Sequence, residues 1–278
     1  MLLALILAAA VSADNQPRPR LDVAFALDTT GSMGDEIDVV KEKIVDIARK
    51  ISAGQPRPDV RFGIVAYRDR GDLYLTKPFA FTREIAEVQK TLRSLDADGG
   101  GDEPEAVAEG LYATLHDLSW DMGPKTARMI FLIGDAGPHE YQDGKDWRKV
   151  AAEAAEKNIS ITAIGCSGLN PQAERTFAAI AARTHGELHH LTYTRVAVAA
   201  DGKKKTMLSA GGKTYEADGV LSDKEWARGA EVLAKEGRVH EARRAPAMSA
   251  AAAPMTNNLD SEIVSGMKAK AEAMGVKF

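Results

Sequence analysis

LDVAFALDTTGSMGDE, residues 21–36, sets an apolar run against Asp28 and then gathers three hydroxyl residues, Thr29, Thr30 and Ser32, around Gly31. The apolar run reads as a buried strand. Downstream, Ile37, Val40, Ile44, Ile47 and Ile51 recur every three or four residues, the period of a helix with one face to bury. A strand that ends in a carboxylate and a cluster of alcohols, just before such a helix, needs a reason that packing does not supply.

The same alternation continues to about residue 192. Apolar or β-branched runs at 22–27, 60–67, 127–133, 159–165 and 187–192 read as strands, with amphipathic stretches between them. This pattern predicts an α/β, Rossmann-like doubly wound architecture: a mostly parallel sheet with helices on both faces. One short edge strand is expected within LYLTKPFAF, residues 73–81, because Pro78 has no N–H to give to a ladder. A second helix carries Ile85, Val88, Leu92 and Leu95 on one side, with Thr82 placed to cap it. Pro104 and Pro171 fit the first turns of helices near 105–118 and 172–184, and a further helix covers about 147–157.

The two ends of the chain read differently. Residues 1–13 form an apolar block with a small-residue exit, Val11-Ser12-Ala13, the pattern of a secretory signal, followed by a polar linker over 14–20. The block is too short for a membrane span, which needs roughly 20 apolar residues, and nothing later in the chain is apolar enough for one. After the domain at 21–192, residues 193–240 suggest a small α/β appendage. Its strands would be joined by turns at Asp201-Gly202 and Gly211-Gly212, and Ser222 with Glu225 spells a capping box. Residues 241–258 read as an Ala/Pro-rich linker and 259–278 as a possible C-terminal helix.

Composition narrows the function. The 278 residues carry a formal net charge of -4, so no basic field supports nucleic-acid binding, and a cation is the more comfortable partner. The single cysteine, Cys166, excludes an internal disulfide and a cysteine zinc cluster; it ends the apolar run ISITAIGC and reads as a small core residue.

In a parallel sheet the carboxyl ends of the strands share one edge, and three polar loops fall there: DTTGS at 28–32, DADGGGDEPE at 96–105 and GDAGPHEYQD at 134–143. Asp28 and Asp135 each follow an apolar run directly. Brought together they would repel unless a cation or a proton lay between them. A hard divalent ion fits, because Thr30 and Ser32 add two hydroxyl oxygens on a turn that Gly31 permits. Such an ion would keep an open position for an outside carboxylate.

This arrangement resembles the von Willebrand factor A domain and its metal-ion-dependent adhesion site, written Asp-x-Ser-x-Ser followed by a distant Thr and a distant Asp. Asp28, Thr30 and Ser32 match the first element, with Thr in place of the first Ser, and Asp135 in FLIGDAG matches the last. The likeness covers about residues 21–192 and is nearest to the branch found beside alpha-kinase-type and bacterial secreted proteins. It implies direct contact of Thr30 and Ser32 with the ion, and contact of Asp28 and Asp135 partly through water. It also implies a protein partner offering an acidic side chain, and ligation coupled to movement of the last large helix. Where many members carry Gly-Gly-Thr-Asp, this chain has Gly100-Gly101-Asp102, so either Asp102 or water replaces the middle hydroxyl. Magnesium leads among the metals, with manganese or calcium acceptable.

The main alternative is a magnesium-dependent phosphoryl-transfer enzyme with Asp28 as nucleophile, since DTTGS also looks like the phosphorylation loop of ion-pumping ATPases. It lacks a phosphate-binding lysine motif. The Arg70-Gly71-Asp72 tripeptide reads as a polar turn, and GCSG does not spell a nucleophile elbow. The chain therefore reads as a binding module, not an enzyme.

Overall fold

The computed structural model describes residues 18–55, 57–101, 103–166, 168–191, 193–198, 203–210, 213–222, 225, 230–242 and 256–257. The expected signal segment at 1–13 and the C-terminal helix at 259–278 lie outside the described residues, as do both glycine turns of the appendage.

The first sheet has six strands: β1 (Arg20–Asp28), β2 (Asp59–Tyr67), β3 (Thr76–Thr82), β4 (Thr126–Gly134), β5 (Ile159–Gly165) and β6 (Leu188–His190). Their order is β3-β2-β1-β4-β5-β6, parallel throughout except for β3, which runs antiparallel on the edge where Pro78 needs no ladder donor. The helices are α1 (Ile37–Ser52), α2 (Ile85–Arg93), α3 (Val107–His116), α4 (Trp147–Glu156) and α5 (Pro171–Arg183).

Two cores flank the sheet. Leu21, Val23, Phe25 and Leu27 of β1 face α1 and α2, while Ala24 and Ala26 face the layer of α3, α4 and α5. Both faces of β1 are thus dry, which is why its sequence is continuously apolar. The expected stripe of α1, Ile37, Val40, Ile44, Ile47 and Ile51, is buried in full.

Three local expectations shift. Pro104 lies ahead of α3, not in its first turn, because the Glu105 backbone is engaged by another loop: its N–H donates to Gly137 O (2.9 Å) and its C=O accepts from His139 N–H (2.7 Å). Thr82 does not cap α2 at its N-cap position; its hydroxyl accepts the N–H of Glu84, one residue before the helix. β6 is shorter than the run at 187–192. Pro171 does sit at the first turn of α5, behind an Asn170 side chain that accepts from Gln172 and Ala173.

From β6 the chain passes almost directly into β7 (Tyr193–Val198), so α5 is the last helix on the first sheet. β7 pairs with β8 (Lys204–Ala210), β8 with β9 (Lys213–Asp218), and β10 (His240–Glu241) and β11 (Thr256–Asn257) border them in a five-stranded antiparallel sheet. Leu208, Tyr215, Ala217, Val239 and Leu233 of α6 (Ala230–Lys235) make its small core. The capping box forms: Glu225 Oε2 accepts from Ser222 N–H at 3.0 Å, and Ser222 Oγ accepts from Glu225 N–H at 3.4 Å.

Candidate metal centre

Strand order reverses between β1 and β4, so the two strands that carry Asp28 and Asp135 are neighbours at the switch point. Leu27 pairs with Ile133, which sets Asp28 level with Gly134 and Asp135 one residue beyond. A Cβ placed on Gly134 would stand 2.6 Å from the Tyr67 hydroxyl, 3.1 Å from Asp28 Oδ2 and 3.2 Å from Asp28 Cβ. Only glycine lets β4 pass this close.

The turn after β1 is folded on its own carboxylate. Asp28 Oδ1 accepts from the Thr30 N–H at 2.9 Å and the Thr30 hydroxyl at 2.7 Å, and the Thr30 and Ser32 hydroxyls lie 3.1 Å apart. Main-chain bonds stitch this turn to the glycine-rich loop: Gly31 N–H to Gly99 O at 3.0 Å and Asp98 N–H to Thr29 O at 3.1 Å. A Cβ on Gly31 would meet Gly99 O at 2.8 Å, so the close approach requires glycine there. Asp28 and Thr30 are sealed from water, Asp135 is nearly so, and Ser32 is exposed. The site therefore has a buried carboxylate floor and a hydroxyl at its mouth.

Its electrostatics are unfinished. Asp28 Oδ2 and Asp135 Oδ1 are buried without a hydrogen-bond partner. Burial, and then the charge of Asp135, pushes the Asp28 carboxyl up to about 7 against the pull of the Thr30 donors. Burial likewise raises Asp135 to about 6, opposed by the Ser32 hydroxyl. Two acids facing each other with unused oxygens are what a divalent ion neutralises, and the donor set of carboxylates and alcohols is one that hard cations take.

Of the five residues expected at the site, Asp28, Thr30, Ser32 and Asp135 come together. Asp102 lies outside the described residues. Glu105 was not anticipated as a site residue. It is 2% exposed, its Oε2 has no partner, and burial, followed by the charges of Asp28, Asp69 and Asp135, raises it to about 9. A Cβ on Gly100 would touch both Glu105 Oε1 (2.9 Å) and the Thr30 Cβ (3.0 Å), which locates this carboxyl beside the turn. An available signal was the acid placed directly before the wholly apolar Ala106-Val107-Ala108.

Neighbouring features resolve simply. Arg70 stacks 3.8 Å over Tyr141 and bonds Asp143 at 2.6 Å, while Asp72 accepts from Asp69 N–H and Gly100 N–H at 3.0 Å each. The Arg70-Gly71-Asp72 tripeptide is a pinned polar turn, as its sequence suggests. Cys166 is fully buried, and burial together with Glu36 keeps its thiol protonated. Asp28, the nucleophile of the phosphoryl-transfer alternative, is sealed from water and holds two donors on one oxygen.

The family model described as von Willebrand factor A domain matches residues 22–207. This chain belongs to the von Willebrand factor A domain family. The match begins two residues into β1, covers the rest of the first sheet and runs into β8. Relatives include an alpha-protein kinase, vwkA, of Dictyostelium discoideum, 30% identical over 130 residues, which are 45% of this chain and 20% of that protein. Human von Willebrand factor A domain-containing protein 7 is 30% identical over 122 residues, 44% of this chain and 12% of the relative, and mouse hemicentin-1 is 24% identical over 184 residues, 66% and 3% respectively. The chain spans a fifth or less of the length of these relatives. Among solved structures, the mussel byssus proximal thread matrix protein 1 with a zinc-occupied MIDAS motif superposes with a TM-score of 0.50 at 15% identity, over 62% of this chain and 41% of that one. The shared fold is that of a mostly parallel sheet between helices, with the extra antiparallel sheet of this chain following it.

Proposed function

We propose that this chain is a divalent-cation-dependent protein-binding module in which Asp28, Thr30, Ser32 and Asp135 hold one ion at the carboxyl edge of the first sheet. Glu105 supports them from the side, and an acidic side chain of a protein partner completes the ion's coordination. The observation that carries this reading is the pair of buried acids on adjacent strand ends, each with an oxygen left unpaired. When bound, the ion supplies a directional anchor for a carboxylate. The chain's part is to hold the oxygens in place: the Thr30 donors fix one oxygen of Asp28, and the stitched loops keep the hydroxyls at the mouth. Magnesium is the proposed metal, with manganese or calcium acceptable, since alcohol and carboxylate oxygens suit hard ions.

The proposed module is residues 21–192 and the proposed appendage 193–240, to whose sheet Glu241 and the short strand β11 (Thr256–Asn257) also belong. Export belongs to the same proposal and rests on residues 1–13; a mature chain beginning at Asp14, found by mass spectrometry outside the cytoplasm, is the expected result. Among the described residues no helix is long and apolar enough to cross a membrane. No observation favours the phosphoryl-transfer reading over this one.

The test is thermal unfolding in metal-free buffer, titrated separately with magnesium, manganese, calcium and zinc, for the parent and for Asp28→Asn. Stabilisation of the parent alone is expected; the same metal response in both proteins would sink the assignment.

A further inference from the structure

At the opposite, amino edge of the first sheet, the starts of β1, β2 and β4 and the first turn of α2 enclose a cleft of about 1230 Å³. Five cationic side chains line it, Arg18, Arg20, Arg57, Arg83 and Lys125, against two acids, Asp59 and Glu84. Asp59 is taken by Arg83 through two bonds of 2.7 and 3.0 Å, and Arg20 donates to Asp121 at 3.3 Å with Asp59 at 3.9 Å, so these two guanidinium groups are already held by acids of the chain. Arg18, Arg57 and Lys125 are exposed and pair with none of the described residues. The first N–H groups of α2, at Ile85 and Ala86, belong to residues lining the same space and have no intrahelical acceptor, which adds the positive end of a helix.

We propose that this cleft binds an acidic peptide segment of a protein partner, independently of the ion at the other edge. The shape and the mixed lining select this occupant. A membrane surface is flat and does not enter a concavity, and a nucleic-acid duplex needs a broad basic field that a chain of net charge -4 lacks. Phosphate or a sulfated sugar would use only the cations, whereas Pro58, Ile85 and Pro124 give the cleft apolar walls between them. Alternating acidic and apolar side chains satisfy both.

Fluorescence anisotropy on the full chain, in low salt with a chelator present, tests this with an acetylated hexapeptide alternating Glu and Leu against its Gln and Leu counterpart. Saturable binding of the Glu peptide alone is expected. It should weaken about tenfold in the Arg57→Glu, Lys125→Glu double variant, the summed effect of reversing two exposed charges. It should weaken further as salt screens the cleft. Equal binding of both peptides, no binding of either, an unchanged affinity in the double variant, or a requirement for divalent cation would each overturn the proposal. Binding of heparin or inorganic phosphate without the Glu peptide would also overturn it. The peptide comparison on the parent chain stands whatever the variant does to folding.

Discussion

β1 carries two aspartates, Asp22 near its start and Asp28 at its end, and they are 2% and 0% exposed. Asp22 is fully answered by its own chain: Arg61 grips it with bonds of 2.8 and 2.5 Å, and the Asp121 N–H adds a third at 2.7 Å. Asp28 is answered on one oxygen only, by Thr30, and faces another acid across the neighbouring strand. The two residues share an element, a residue type and a degree of burial, so their difference lies in what the fold brings to each end. Where it brings a guanidinium, the acid holds the structure together. Where it brings a second acid, the charge is left for something outside the chain.

The largest effect that would break this contrast is at the structural end. Asp22→Ala strands Arg61 and an amide without their acceptor, and a loss of about 3 kcal/mol is expected, the low end for a broken buried pair because Arg61 is partly exposed. Urea unfolding measures it, and the loss should be the same with and without divalent cation. Asp28→Asn should behave in the opposite way. Without cation it is at least as stable as the parent at pH 8, since an uncompensated acid has gone, yet it forfeits the ligand-linked gain of about 2.7 kcal/mol at roughly a hundredfold excess over Kd. If the two variants respond alike to metal, the contrast fails.

Gly134→Ala probes the space between the strands. Its methyl would press on the Tyr67 hydroxyl and Asp28 Oδ2, and a cost of about 2 kcal/mol with weaker cation binding is expected from unfolding and calorimetry. The last test is on pH. Asp28, Asp135 and Glu105 have folded values raised to about 7, 6 and 9, so between the ordinary carboxylate range and those values the folded chain holds more protons than the unfolded one. Stability then falls as pH rises through them. Without cation, the melting temperature should drop by at least about 3 °C from pH 5 to pH 8, since the rise of Asp135 to about 6 is alone worth about 1.4 kcal/mol over that interval, and saturating cation should abolish the drop. A metal-free protein that grows more stable over this interval would remove the electrostatic basis of the site.

Much of this was legible in the sequence because it follows from period and topology. Continuous apolar strands and 3.6-period helices imply a covered parallel sheet, and such a sheet brings Asp28 and Asp135 to one edge without any further information. Glu105 was hidden because its position depends on backbone bonds to Gly137 and His139, a contact between distant loops that no local pattern reports. Read locally, it belonged to the first turn of a helix. Asp22 was visible as an acid inside an apolar run, but its partner Arg61 becomes evident only when β1 and β2 are paired in register.

The main-chain bonds between the Thr29–Gly31 turn and the Gly99 loop share with the Asp28 and Asp72 carboxylates the work of fixing the site's shape. A cradle fixed by amides can exchange one oxygen donor for another over evolutionary time while the scaffold stays put. On the proposed reading, single substitutions among the oxygen donors are expected to shift metal preference while these main-chain bonds keep the loop in place.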